Sequence, residues 1–158
     1  GLPSRDLLVS RQHRMLVDAK TVANMFACDE VLVPAAKLLP LPGFYIDTSL
    51  EAVTYYHLVF DQHEVIFAEG AATESLYTGA EALRSVSEEA REELLTMFPE
   101  LDEQAAQMTP ARVIPKDRRQ KHLVVRLKRN AKTPNALETS NRRPILSMRL
   151  LSVALQPP

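Results

Sequence analysis

The stretch from Ala52 to Gly70, AVTYYHLVFDQHEVIFAEG, limits the possible folds more than any other part of the chain. Its first half is dense in β-branched and aromatic residues, which suit a pleated, half-buried surface. A second apolar run follows after only Asp61 and Gln62 and closes on Glu69-Gly70. Read locally, this predicts a β-hairpin turning at Asp61-Gln62, with His57 and His63 as approximate cross-strand neighbours.

The surrounding sequence is also strand-like. Residues 6 to 17 read as a strand, a polar interruption and a second strand, with Leu7, Val9, Met15 and Val17 as the apolar positions. EVLVPA (30–35) and FYID (44–47, after the turn signal LPLPG) predict two more short strands. Near Thr78 the pattern changes. Ser85 with Glu88 forms a capping box, and Val86, Ala90, Leu94, Met97 and Leu101 recur at helical spacing. A helix is expected over 86–97, preceded by a short one at 79–84 and ended before Pro99.

Asp117 is placed to cap a further helix through about Asn130, with Leu123, Val124 and Leu127 on one face. Residues 131–144 read as loop. The apolar stretch 145–155 docks as a strand or a helix, and its period does not decide which. The expected class is therefore α+β, β-rich over 1–77 and helical and basic over 78–158.

At 158 residues and 46% hydrophobic, the chain is long enough for one globular domain with its own core. The net charge of −1 gives no reason to expect nucleic-acid or membrane partners, and no apolar run approaches the roughly 18 residues of a membrane span. Charge is nevertheless segregated. Asp61 to Glu103 holds twelve acidic residues against Arg84 and Arg91, and Arg112 to Arg143 holds eleven basic ones against Asp117 and Glu138. Each run reads first as a solvated surface, or else as a docking face. Aromatic residues are absent from the basic run, so it lacks the stacking platform of single-strand binders. Cys28 is the only cysteine, which excludes an intrachain disulfide and a cysteine zinc site.

Chemistry points to the histidines. Three of the four, His13, His57 and His63, fall in the β-rich part, and His122 lies in the basic helix. Imidazoles exchange protons near neutral pH, so several on neighbouring strands can form a proton-transfer site. A histidine metal site using Glu64 or Asp61 is weak, because adjacent strand residues such as His63 and Glu64 point to opposite faces. No metal or cofactor is expected.

Two segments taken together carry a resemblance. LVSRQHRMLV (8–17) resembles the motif of the Hint superfamily, the autoprocessing domain shared by hedgehog proteins and inteins, in which Thr-x-x-His sits between apolar strands. TYYHLVFDQHEVIFAEG (54–70) resembles the later Hint motif, with Tyr56 on its Tyr, His57 on its Asp, His63 on its His and Gly70 on its Gly. LPSRDLLVS-Q-H, DEVLVPA, FD-HEVIFAEG and ESLY are similar to bacterial Hint-like domains of large, often secreted alphaproteobacterial proteins. The resemblance spans about residues 2–77.

It implies a β-rich horseshoe, of which this chain is the C-terminal portion. It also implies cleavage of the peptide bond before the domain's own first residue, by an acyl shift from backbone nitrogen to a Cys, Ser or Thr side chain. The upstream polypeptide is then the substrate. Ser10 would take the Thr role beside the scissile bond, His13 would protonate the departing amide nitrogen, and His57 or His63 would supply a second proton transfer.

Three departures qualify the comparison. The nucleophile belongs ahead of the Thr-x-x-His motif, whereas Cys28 follows it, so the 158 residues are expected to be inactive alone. Glu74-Ser75 stands where inteins end in His-Asn, so no splicing is expected. His57 replaces an Asp, which changes the charge there. Loss of the early strands would also leave sheet edges open to self-association. The alternative is a non-catalytic binding or scaffold module of a larger protein. A third reading is a metal hydrolase on His13, His57 and His63.

Overall fold

The computed structural model describes residues 3–49, 53–77, 88, 92, 95–96, 108–130 and 149–155. Among them a four-stranded antiparallel sheet carries the core. Strand β1 (Arg14–Asp18) pairs with β2 (Glu30–Pro34) over five positions, from Arg14 opposite Pro34 to Asp18 opposite Glu30. Between them lies helix α1 (Lys20–Phe26), and α2 (Ala35–Leu38) follows β2. Strand β4 (Val65–Ala68) turns back into β5 (Ala71–Glu74), and β5 lies against β1, giving the order β2-β1-β5-β4.

The hairpin sits elsewhere than predicted. Strand β3 (Val53–Val59) is in a second, two-stranded sheet, paired antiparallel with β6 (Arg149–Leu155) from Val53 opposite Leu155 to Val59 opposite Arg149. The physical reason lies in the turns. A two-residue hairpin needs positive φ, supplied by Gly, Asn or Asp at defined positions, and Asp61-Gln62 does not adopt it. Glu69 and Gly70 do, at φ 50° and 80°, so the chain reverses there and joins β4 to β5.

A glutamate at positive φ is uncommon, and here it is held from outside. Arg5 reaches both Glu69 carboxylate oxygens, Nε at 3.0 Å and Nη2 at 2.5 Å, while the Ser4 hydroxyl donates at 3.0 Å. The Ser4 amide also donates to the Glu69 carbonyl at 2.8 Å, which ties the first described residues to the hairpin tip.

Alternation along the strands builds two apolar layers. Met15, Val17, Val31, Val33 and Ala71 face one side and join Val22 of α1, Leu38 and Leu41 in the main cluster. Helix α3 (Asp117–Arg129) closes that cluster with Leu123, Val124 and Leu127, all buried. Burying each of these side chains contributes about 1.5–3 kcal/mol. On the opposite side Leu16, Leu32 and Ala72 pack with Val65, Phe67 and Ile114. The free edge of β2 is covered by Val113, in a parallel bridge to Val31, with the Leu32 amide donating to the Val113 carbonyl at 3.0 Å.

Smaller differences from the expectations have local causes. Residues 44–47 form no strand, with Tyr45 and Ile46 exposed, and the first of the two strands expected over 6–17 is not formed. Lys116, not Asp117, occupies the N-cap of α3; Asp117 lies in the first turn, paired with Lys37 and, at 3.0 Å, with Lys121. The stretch 145–155 provides strand β6 at 149–155. Positions 88, 92, 95 and 96 are helical; the remainder of the helices expected over 79–97, and the loop at 131–144, fall outside the described residues.

Candidate functional site

Ser10 and His13 are the first and last residues of a β-turn. The His13 amide donates to the Ser10 carbonyl at 3.1 Å, with Arg11 and Gln12 exposed at the corner. The chain after β2 fixes this turn from the other side, because the Ala35 amide donates to the His13 carbonyl at 2.8 Å and the Ala36 amide to the Arg11 carbonyl at 3.0 Å. Four-residue spacing thus becomes proximity: a hydroxyl and an imidazole share one pinned turn at the start of β1.

The imidazole is held by β5. His13 Nε2 meets Thr73 Oγ1 in a close contact, and Thr73 Oγ1 donates to the Arg14 carbonyl at 2.9 Å. Thr73 is buried and lies opposite Met15 in the ladder, so its side chain shares the face of His13, Met15 and Val17.

Glu74, the next residue, points to the other face. Its Oε1 accepts the Arg14 amide at 2.8 Å and its Oε2 accepts Arg14 Nη1 at 2.9 Å. The backbone C=O and N–H of Arg14 are therefore bonded by two adjacent β5 side chains, one from each side of the sheet. His63 Nε2 lies 3.3 Å from Glu74 Oε2, near enough for electrostatic attraction but not aligned as a hydrogen bond. Burial, the largest single influence, pushes the Glu74 carboxyl up. His63 and the guanidinium and amide of Arg14 together outweigh it, and the carboxyl is held below its ordinary range.

The His63 side chain is wholly shielded from solvent. Its Nδ1 accepts the Ala111 amide at 3.1 Å, so this nitrogen carries no proton and Nε2–H faces the carboxylate. Tyr77 packs against the ring in a tilted arrangement at 4.8 Å, lies 5.7 Å from the Arg14 guanidinium and donates its hydroxyl to the Met108 carbonyl at 3.1 Å. The network anchors the 108–113 segment against the sheet.

The residues singled out from sequence are thus distributed unevenly. Ser10 and His13 come together. His63 contacts Glu74 whereas His13 contacts Thr73, so the two imidazoles lie on opposite sides of β5. His57 lies in β3, opposite Leu151 of β6, and is not a cross-strand neighbour of His63. This separation removes the geometric basis for one ion bound by His13 and His63. Among the described residues no group of three or more His, Cys, Asp or Glu is placed to hold a metal. Cys28 is half-buried, and its thiol donates to the Glu30 carbonyl at 3.3 Å.

Thr73 and Glu74 were not singled out for chemistry. Both follow a Glu-Gly turn that returns the chain alongside β1, and Glu74 is marked in the sequence only as standing where inteins end in His-Asn. The outer face of α3 carries exposed Arg118, Arg126, Lys128 and Arg129 around Val125, which is 63% exposed. No helix among the described residues is long and apolar enough to cross a membrane.

In comparison with known proteins, residues 1–80 match the family model described as the Hint domain. No curated protein and no solved structure matches the chain.

Proposed function

The chain belongs to the Hint domain family, and from that premise we propose that it serves autoprocessing of a larger polypeptide, by peptide-bond cleavage without splicing. In this reading residues 1–77 are the C-terminal portion of a Hint horseshoe of the bacterial type, and residues 78–158 are an extension that adds the basic helix α3 and strand β6. A Cys, Ser or Thr side chain upstream of Leu2 attacks the carbonyl carbon of the residue before it. A carbon–sulfur or carbon–oxygen bond forms, the carbon–nitrogen bond breaks, and the departing amide nitrogen takes a proton. A thiol or water then releases the acyl fragment.

His13 supplies the proton and the Ser10 hydroxyl steadies the backbone beside the bond. The observation that supports this reading is the pinned turn at 10–13, which brings Ser10 and His13 together at the start of β1. His63, buried and bonded to Ala111, is given a supporting part, and His57 remains the candidate for the second proton transfer.

A binding or scaffold module is the second reading, favoured by the exposed cationic face of α3. One experiment separates them. A parent chain extended upstream is followed by mass with and without dithiothreitol, beside a His13→Ala variant. Thiol-stimulated cleavage upstream of Leu2, lost in the variant, supports autoprocessing. An intact chain under every condition refutes it in favour of the scaffold.

A further inference from the structure

We infer that Thr73 is a positioning residue that selects the tautomer of His13, an inference that rests on the autoprocessing role proposed for that histidine. A hydroxyl has one proton and two lone pairs. Thr73 directs its proton to the Arg14 carbonyl, 2.9 Å away, and so meets His13 Nε2 with a lone pair. Nε2 must then carry hydrogen. In the neutral ring Nδ1 is therefore the nitrogen without hydrogen, and in the autoprocessing reading it is the nitrogen through which the ring gains and gives up its proton. The alternative tautomer would set a ring lone pair against the Thr73 lone pairs.

The surroundings make this orientation firm. Thr73 is 2% exposed, so no water competes for its hydroxyl, and Glu74 holds the Arg14 amide from the other face. The Arg14 carbonyl, which receives the threonine proton, is thereby fixed in place. Pinning of the His13 backbone by Ser10 and Ala35 leaves the ring little freedom except rotation, and Thr73 removes that. A hydroxyl is what the position requires: serine would serve, and valine, of nearly the same shape, would not.

The test has two arms. Nitrogen-15 NMR of the imidazole in the 158-residue protein reads the tautomer directly. The wild type is expected to show His13 with hydrogen on Nε2 in its neutral form, Thr73→Val a mixture of tautomers, and Thr73→Ser the wild-type signature. In the upstream-extended parent, thiol-stimulated cleavage is expected to fall roughly 10- to 100-fold in Thr73→Val with an altered pH profile, and to stay within about threefold of wild type in Thr73→Ser. A Thr73→Val protein that keeps the wild-type tautomer, or a Thr73→Ser protein that loses it, overturns the inference. If the wild-type parent does not cleave at all, the autoprocessing reading fails, and the tautomer arm alone decides the part played by Thr73.

Discussion

Replacing Glu74 by Gln keeps the side-chain volume and removes the charge from the buried network behind the sheet. The carboxylate accepts two hydrogen bonds from Arg14, at 2.8 and 2.9 Å, and faces His63 Nε2–H at 3.3 Å. The glutamine oxygen can retain one of these bonds. Its NH2 group then confronts a second donor, Arg14 Nη1 or His63 Nε2–H, with no acceptor between them. Removing one partner of a buried ion pair costs about 3–5 kcal/mol. The Arg14 side chain is 25% exposed and can recover some hydration, which brings the cost below that range, to about 2–3 kcal/mol. At this chain length that is a fall in Tm of roughly 4–12 °C.

The pH dependence identifies the cause. The folded Glu74 carboxyl lies below the ordinary value of 4.5. Its contribution is therefore fully present above that value and is lost as pH falls through the lower folded one. Urea titrations should give a constant difference between wild type and variant above about pH 5.5, narrowing below about 4.5. A difference under about 0.5 kcal/mol, or one that does not narrow down to pH 3, would refute the assignment of a stabilising carboxylate.

Three further outcomes follow from the packing. Leu127→Ala, at a fully buried position against the sheet, is expected to cost about 3–5 kcal/mol in urea unfolding; a loss below 1 kcal/mol would mean that α3 does not close the core. Gly70→Ala, at φ 80°, should cost about 1–2 kcal/mol through left-handed strain, and an unchanged midpoint would argue against the turn described. In His63→Phe the ring shape persists without the Nδ1 acceptor, so hydrogen exchange at the Ala111 amide should accelerate at least tenfold, whereas unchanged protection would show that the bond is not formed in solution.

How much of this was legible beforehand depended on the range of the interactions. Strands β1 and β2 and helix α3 announce themselves through alternation and through Leu123, Val124 and Leu127 at helical spacing. Helix α1 gives no such signal: it has seven residues and ends on Ala27 at φ 55° where a glycine would ordinarily mark the stop. Strand β5, AATE, is too short and too poor in β-branched residues to be distinguished from loop, so the sequence pattern points to a turn at Asp61-Gln62 rather than at Glu69-Gly70. Strand β3 finds its partner some ninety residues onward in β6, a pairing no local window contains. The same rule governs the site. Ser10 and His13 are related by four consecutive residues and were visible; Thr73 reaches His13 across a separation of 60 and was not.

The pair Thr73-Glu74 shows how one strand can serve both faces of a sheet. In regular pairing, the amide and carbonyl of Arg14 would be bonded by the backbone of a neighbouring strand. Here the Thr73 and Glu74 side chains bond them instead. The same two side chains then extend outward, Thr73 to His13 and Glu74 to His63. A change on the structural face, such as loss of the Glu74 carboxylate, therefore acts on the residue whose carbonyl orients Thr73 and, through it, His13. Stability of the buried network and placement of the proposed proton donor are coupled at Arg14. Glu74→Gln should consequently alter the His13 tautomer signal as well as the unfolding midpoint, although Glu74 and His13 lie on opposite sides of the sheet.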